Sequence, residues 1–108
     1  MPEIKNPIFN ISGLQGTLDK VLHGIPYHPN PTIWDRVTIL YREIIENHYF
    51  VDGNKRIGSL LSSIFLFMNG YDFYPPEGEI FSVTMDVAQK KLDYNDIRGW
   101  FERNSIKK

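Results

Sequence analysis

The chain is predicted to be all-α, on three observations. Apolar residues recur at three- and four-residue steps along most of its length, strand-like alternation is nearly absent, and helix-starting and helix-stopping residues punctuate the periodic stretches. At 108 residues it has the length of one compact domain, taken as 1–108, with a single core. The spacing divides into about five helices joined by short loops, and no internal repeat is visible.

The first helix is predicted over about Leu14 to His23, with Leu14, Leu18, Val21 and Leu22 on one face and Gly24 as its stop. Three prolines between Ile25 and Pro31 then forbid regular helix, so a short, stiff, extended flap is expected there. The second helix should begin near Asn30 to Thr32, where a cap residue and a proline coincide, and run to about His48. Ile33, Val37, Leu40, Tyr41, Ile44, Ile45 and His48 share one face, which points the histidine inward at the helix end. A third helix follows from Asn54, its expected N-cap, to Asn69-Gly70. Its apolar residues from Ile57 to Met68 cover nearly the whole circumference, the pattern of a helix buried on most sides. Tyr71 to Pro76 reads as a connector. The fourth helix, about Glu77 to Leu92, has acids at its start and Lys90-Lys91 at its end, as the macrodipole prefers. The last, about Asp93 to Arg103, packs through Tyr94, Ile97, Trp100 and Phe101, and the tail from Ser105 is expected to fray.

Composition narrows the function. A formal charge of −1 and a pI of about 6.3 argue against a general nucleic-acid binder or a membrane-surface protein, so any basic patch is local. The absence of cysteine excludes disulfides and thiol chemistry and agrees with a cytoplasmic location. The longest apolar stretch, Ile57 to Met68, spans about 18 Å as a helix, against a bilayer core of about 30 Å. The first residues show no basic-then-apolar leader, so no signal peptide is expected.

The chemistry gathers in residues 48–58, His-Tyr-Phe-Val-Asp-Gly-Asn-Lys-Arg-Ile-Gly. Lys55 and Arg56 fall in the predicted first turn of the third helix, where the macrodipole disfavours each cation by roughly 0.3–1 kcal/mol. An anion offsets that cost, and the free N–H groups of a helix start are themselves phosphate receptors. Arg56 offers a planar fork and Lys55 a mobile point charge; the plainer reading is a solvated pair. Gly53 permits a left-handed turn and also lets backbone approach phosphate oxygens. Asn54 is first a cap and second an amide donor. Asp52 is ordinarily a turn residue, but two positions before an anion cradle a carboxylate suits Mg²⁺, which binds through one or two carboxylates plus phosphate oxygens. His48 alone reads as a core histidine. Beside this helix start it becomes a candidate general base, since imidazole exchanges protons near neutral pH. Phe50 and Ile57 are assigned to packing, and His23 and His28 lie outside the constellation.

His48-Tyr49-Phe50-Val51-Asp52-Gly53-Asn54-Lys55-Arg56 resembles the signature of the Fic/Doc family: His-Pro-Phe, an acid, Gly-Asn-Gly-Arg, two free positions and a second Arg, set between two helices of a small all-α domain. Asn69-Gly70-Tyr71 and the stretch from Leu92 to Phe101 extend the likeness, so that it covers nearly everything after about Ser12. The resemblance implies His48 as the base for a target hydroxyl, Asp52 as the Mg²⁺ residue on nucleotide phosphates, and Gly53, Asn54 and Arg56 as the anion cradle. Lys55 replaces the second glycine and Ser59 the final arginine. Both changes resemble Doc-type toxins, kinases that act on a translation elongation factor. A lysine charges the space that glycine leaves for a diphosphate, and loss of the arginine removes a fork from the far side, so ATP would present its γ-phosphate rather than its α-phosphate. The implied reaction is phosphorylation of a Ser or Thr hydroxyl on a target protein. Adenylyl transfer is the enzymatic alternative, and a non-catalytic nucleotide- or partner-binding domain the third reading. The flap before the second helix sits where the family docks its target segment. No Ser or Thr is followed four residues later by Glu-Gly or Glu-Asn, as in self-restrained members, so restraint is expected from an antitoxin partner.

Overall fold

The computed structural model describes residues 10–24, 30–49 and 53–108. The described residues form five helices, α1 (Ile11–His23), α2 (Ile33–Asn47), α3 (Asn54–Met68), α4 (Glu79–Ala88) and α5 (Tyr94–Arg103), with two short strands, β1 (Tyr71–Phe73) and β2 (Ser105–Lys107). The all-α prediction holds. The central element is α2, which packs against α1, α3, α4 and α5. Val37, Tyr41 and Ile45 on one side of it meet Leu66, Val87, Ile97, Trp100 and Phe101, while Leu40 and Ile44 on another meet Val21 and Tyr49. Aromatic edges lock the larger cluster: Tyr41 and Phe101 stand edge-on with ring centroids 5.1 Å apart, and Phe73 and Trp100 5.0 Å apart.

Local chemistry sets the helix ends. In α1, Asn10 caps the start by accepting from the Gly13 N–H at 2.8 Å, three residues before the predicted beginning. Its buried face also differs from the prediction. Thr17 and Val21 are buried whereas Leu18 and Leu22 are exposed, because the Thr17 hydroxyl reaches Glu43 at 2.9 Å and the Tyr49 hydroxyl at 2.7 Å. The cap of α2 is Thr32, whose hydroxyl accepts from the Asp35 N–H while the Asp35 carboxylate accepts from the Thr32 N–H. Asp93 and Asp96 repeat this reciprocal cap at α5. Helix α4 is shorter than predicted. It starts from Gly78 in the left-handed region and ends at Ala88, so Lys90-Lys91 follow the helix instead of closing its last turn. A Cβ on Gly58 would stand 3.1 Å from Ile45 Cγ1; the bare backbone is what seats α3 against α2.

Two further expectations are corrected. The connector at Tyr71 and the tail at Ser105 pair as antiparallel strands, Tyr71 opposite Lys107 and Phe73 opposite Ser105, and the Lys108 N–H donates to the Gly70 carbonyl at 2.8 Å. Three-residue strands are too short for alternation to register in the sequence. Nor is α3 buried on most sides: Leu60, Ile64, Phe67 and Met68 are exposed, Met68 by 78%. They form an open apolar strip on the side of α3 away from α2.

Buried tyrosines make stability sensitive to alkali. Burial pushes the Tyr41 phenol up to about 12, and burial followed by the hydrogen bond to Asp35 raises Tyr94 well above the usual phenol range. In the unfolded chain both lose their protons near about pH 10. Their contribution is therefore complete below that pH and drains away as pH climbs toward the folded values. Denaturant midpoints measured from pH 8 to 11.5 are expected to fall from about pH 10 upward, less steeply in Tyr94→Phe. An equal slope in that variant would refute the assignment.

Candidate functional site

The site begins where α2 stops. His48 adopts a left-handed conformation (φ 51°, ψ 54°) as the C-cap of α2, and it is exposed. The prediction that it points inward is wrong, because a left-handed residue leaves the helical path and the 3.6-residue period no longer applies to it. The inward place goes to Tyr49, 5% exposed, whose hydroxyl meets Thr17 at 2.7 Å and Asn47 Nδ2 at 3.0 Å and whose carbonyl accepts from the Asn10 N–H at 2.9 Å. Tyr49 thus pins the chain to α1 one residue after the histidine and leaves the imidazole open to solvent. Sequence reasoning missed it; the available signal was its apolar ring just past a helix end.

Phe50, Val51 and Asp52 lie outside the described residues, as do residues 25–29 of the predicted flap. The proposed metal residue, Asp52, is therefore not located. Among the described residues no group of three or more His, Asp or Glu side chains is placed to share a metal.

At the start of α3 the prediction is close. Gly53, with φ 74°, is the N-cap, so its backbone freedom is used, and its carbonyl accepts from the Ile57 N–H at 2.8 Å. Asn54 is the first helical residue rather than the cap, which corrects its assignment by one position. Lys55 and Arg56 follow in the first turn, both exposed, with no acidic residue in that turn. The unfavourable placement inferred from sequence is real.

These two cations stand at the edge of a groove of about 660 Å³ between α3 and α4. Leu60 on α3 and Ile80, Phe81 and Met85 on or beside α4 supply apolar walls; Ser59, Ser63 and Thr84 supply hydroxyls. Ser59 Oγ donates to the Lys55 carbonyl at 3.0 Å and lies 3.3 Å from Thr84 Oγ1, which in turn lies 2.5 Å from the buried Tyr41 hydroxyl. A ligand with an anionic end and a flat apolar body matches this surface: its charge meets the start of α3, and its body enters between the helices. Sequence reasoning found the cationic end and missed the groove, because its second wall is more than twenty residues away. The surplus of apolar residues in α4, where Ile80 and Phe81 both face solvent, was the one available signal.

A family profile described as Fic/DOC matches residues 6–66, more than half of the chain. The chain belongs to the Fic/DOC family. Members are typically transferases that move part of a nucleotide onto proteins. No curated protein matches the chain. The Fic/DOC match takes in α1, α2 and almost all of α3, including every residue from His48 to Arg56, and stops before α4. The far wall of the groove thus lies outside the matched segment. No helix among the described residues is long and apolar enough to cross a membrane.

Proposed function

We propose that this Fic/DOC domain is a Doc-like protein kinase, transferring the γ-phosphoryl group of ATP to a Ser or Thr hydroxyl of a target protein in the cytoplasm. The observation that carries the reading is the groove at the start of α3, with two first-turn cations at one end and apolar walls beyond them. Phosphates seat against Lys55, Arg56 and the backbone at Gly53 and Asn54, and the nucleoside lies between α3 and α4. His48, on an exposed cap, takes the proton from the incoming hydroxyl. The hydroxyl oxygen bonds to the γ-phosphorus as the bond from that phosphorus to the β,γ-bridging oxygen breaks, and ADP leaves. Asp52 would hold Mg²⁺, which when bound neutralises phosphate charge; a carboxylate directly before Gly53 in the sequence is a donor type suited to it.

Lys55 and Ser59 favour phosphoryl over adenylyl transfer. Lys55 fills and charges the start of the cradle, and Ser59 places a neutral hydroxyl, already bonded to the Lys55 carbonyl, where the family signature has an arginine. A small antitoxin is the proposed restraint, and the open apolar strip of Leu60, Ile64, Phe67 and Met68 supports a protein partner of that kind.

The test uses ATP labelled at either the α- or the γ-phosphate, incubated with the protein, Mg²⁺ and a cell lysate. Protein-bound label is expected from the γ position only. Label from the α position only would replace the reading with adenylyl transfer. Label from neither, with no ATP association at millimolar concentration, would leave a domain that does not handle nucleotides.

A further inference from the structure

The groove's hydroxyls form a row whose protons have few places to go. Tyr41 is 1% exposed, and its hydroxyl lies 2.5 Å from Thr84 Oγ1, itself on a residue 4% exposed. Burial keeps this phenol protonated through and beyond the physiological range. A buried O–H left without an acceptor is costly, so the Tyr41 proton is spent inside the row. At the other end, Ser59 Oγ donates to the Lys55 carbonyl at 3.0 Å, the back-bond that helical serines make to the residue four earlier. Between them, Thr84 Oγ1 and Ser59 Oγ stand 3.3 Å apart. With Ser59 donating to the carbonyl and Tyr41 donating inward, the proton left for this contact is the one on Thr84. The row runs one way, from Tyr41 through Thr84 and Ser59 to the Lys55 carbonyl. Its last hydroxyl has its proton engaged, and because Ser59 lines the groove with Leu60 and Phe81, a lone pair is left to accept from a ligand there.

We propose that Ser59 acts as a fixed hydrogen-bond acceptor in the groove, so that this domain selects nucleotides that present a donor there, a sugar hydroxyl or a base amino group. Tyr41 and Thr84 are positioning residues that hold Ser59 in that state. The assignment rests on the groove being the nucleotide site. It goes further in one respect: it sets the polarity of recognition one helical turn past the cations, at a position where the family signature carries a charged donor. A ligand acceptor at that depth would face the Ser59 lone pair and be rejected, since a buried polar contact without a proton loses binding.

The experiment is calorimetric titration of the folded protein, in Mg²⁺, with ATP and three analogues that each replace one donor by an acceptor. Fluorine replaces the 2′-hydroxyl in one and the 3′-hydroxyl in another, and a keto oxygen replaces the 6-amino group in the third. One of the three is expected to bind about 10-fold more weakly than ATP, the worth of one hydrogen bond in a partly closed site, and which one tells sugar from base. In Ser59→Ala that penalty should shrink to within about 2-fold. The double variant Tyr41→Phe, Thr84→Val, which keeps both shapes and drops both donors, should reduce the penalty, because without the bond from Thr84 the Ser59 hydroxyl is no longer pinned and can turn its proton from the Lys55 carbonyl to a ligand acceptor. Should the double variant fail to fold, Ser59→Ala decides alone, because its side chain carries no core packing. All three analogues within about 2-fold of ATP, or an undiminished penalty in Ser59→Ala, would overturn the inference while leaving the nucleotide site intact. Binding of none of the four, ATP included, would overturn the proposed function and this inference together.

Discussion

Asp35→Ala is expected to remove about 3 kcal/mol of stability. This carboxylate is 4% exposed and serves two helices at once. It accepts from the Thr32 N–H and hydroxyl, both at 2.9 Å, which closes the cap of α2. It also accepts from the Tyr94 hydroxyl at 2.6 Å and from Arg98 Nε at 3.0 Å, which ties α5 to the start of α2. Breaking a buried ion pair from one side costs about 3–5 kcal/mol because the partner is left uncompensated. Here Arg98 retains 34% of its side-chain exposure, so water relieves part of that penalty and the lower end applies. The Thr32 hydroxyl still accepts from the backbone N–H of residue 35 in the variant, so only the return half of the capping box is lost, roughly a few tenths of a kcal/mol. Against a total of about 5–15 kcal/mol, such a loss shifts the melting temperature by roughly 15 °C. Asp35→Asn keeps one oxygen for the cap and gives up the charge, so about half the effect is expected. Thermal unfolding followed by circular dichroism measures both. An Asp35→Ala midpoint within a few degrees of the parent would mean that α5 is held by Ile97, Trp100 and Phe101 alone.

The contrast between Asp35 and His48 shows what was readable in the chain and what was not. Helix count, helix order and the α5 packing stripe were legible because each is a local period with local stop residues. Ile97, Trp100 and Phe101 are buried as their spacing requires. The first-turn placement of Lys55 and Arg56 was legible for the same reason. Features that depend on partners far along the chain were not. Asp35 meets residues about sixty positions away, and the second wall of the groove begins at Gly78. The β1–β2 pair joins residues more than thirty positions apart through strands too short to announce themselves. His48 failed differently: it is local, yet it sits where a period ends, and one left-handed residue reverses the side-chain direction that the period implied. The apolar circumference of α3 was read as burial, and it proved to include an open face, since periodicity reports hydrophobic character and not which element covers it.

The same left-handed geometry decides how the proposed base should be tested. In the transfer reaction proposed for this domain, removing a positioned general base would cost about 10²- to 10⁴-fold in rate. Alanine is a poor probe at position 48, because φ 51° lies in the left-handed region that His and Asn adopt more readily than Ala, and a loss of activity would mix chemistry with a shifted turn. Asparagine adopts the left-handed conformation readily and offers no group that takes a proton at neutral pH. His48→Asn is therefore expected to melt within a few degrees of the parent, since the imidazole is exposed and outside both core clusters. Its affinity for Mg²⁺-ATP should be unchanged, because the proposed phosphate contacts come from the start of α3. Its rate of label transfer from γ-labelled ATP should fall at least 100-fold. The three readings together separate a base from a nucleotide contact, which would weaken binding, and from a turn residue, which would lower the melting temperature. Transfer within about 3-fold of the parent, with binding and folding intact, would remove His48 from the chemistry and leave the hydroxyl to be activated by its own alignment with the γ-phosphate.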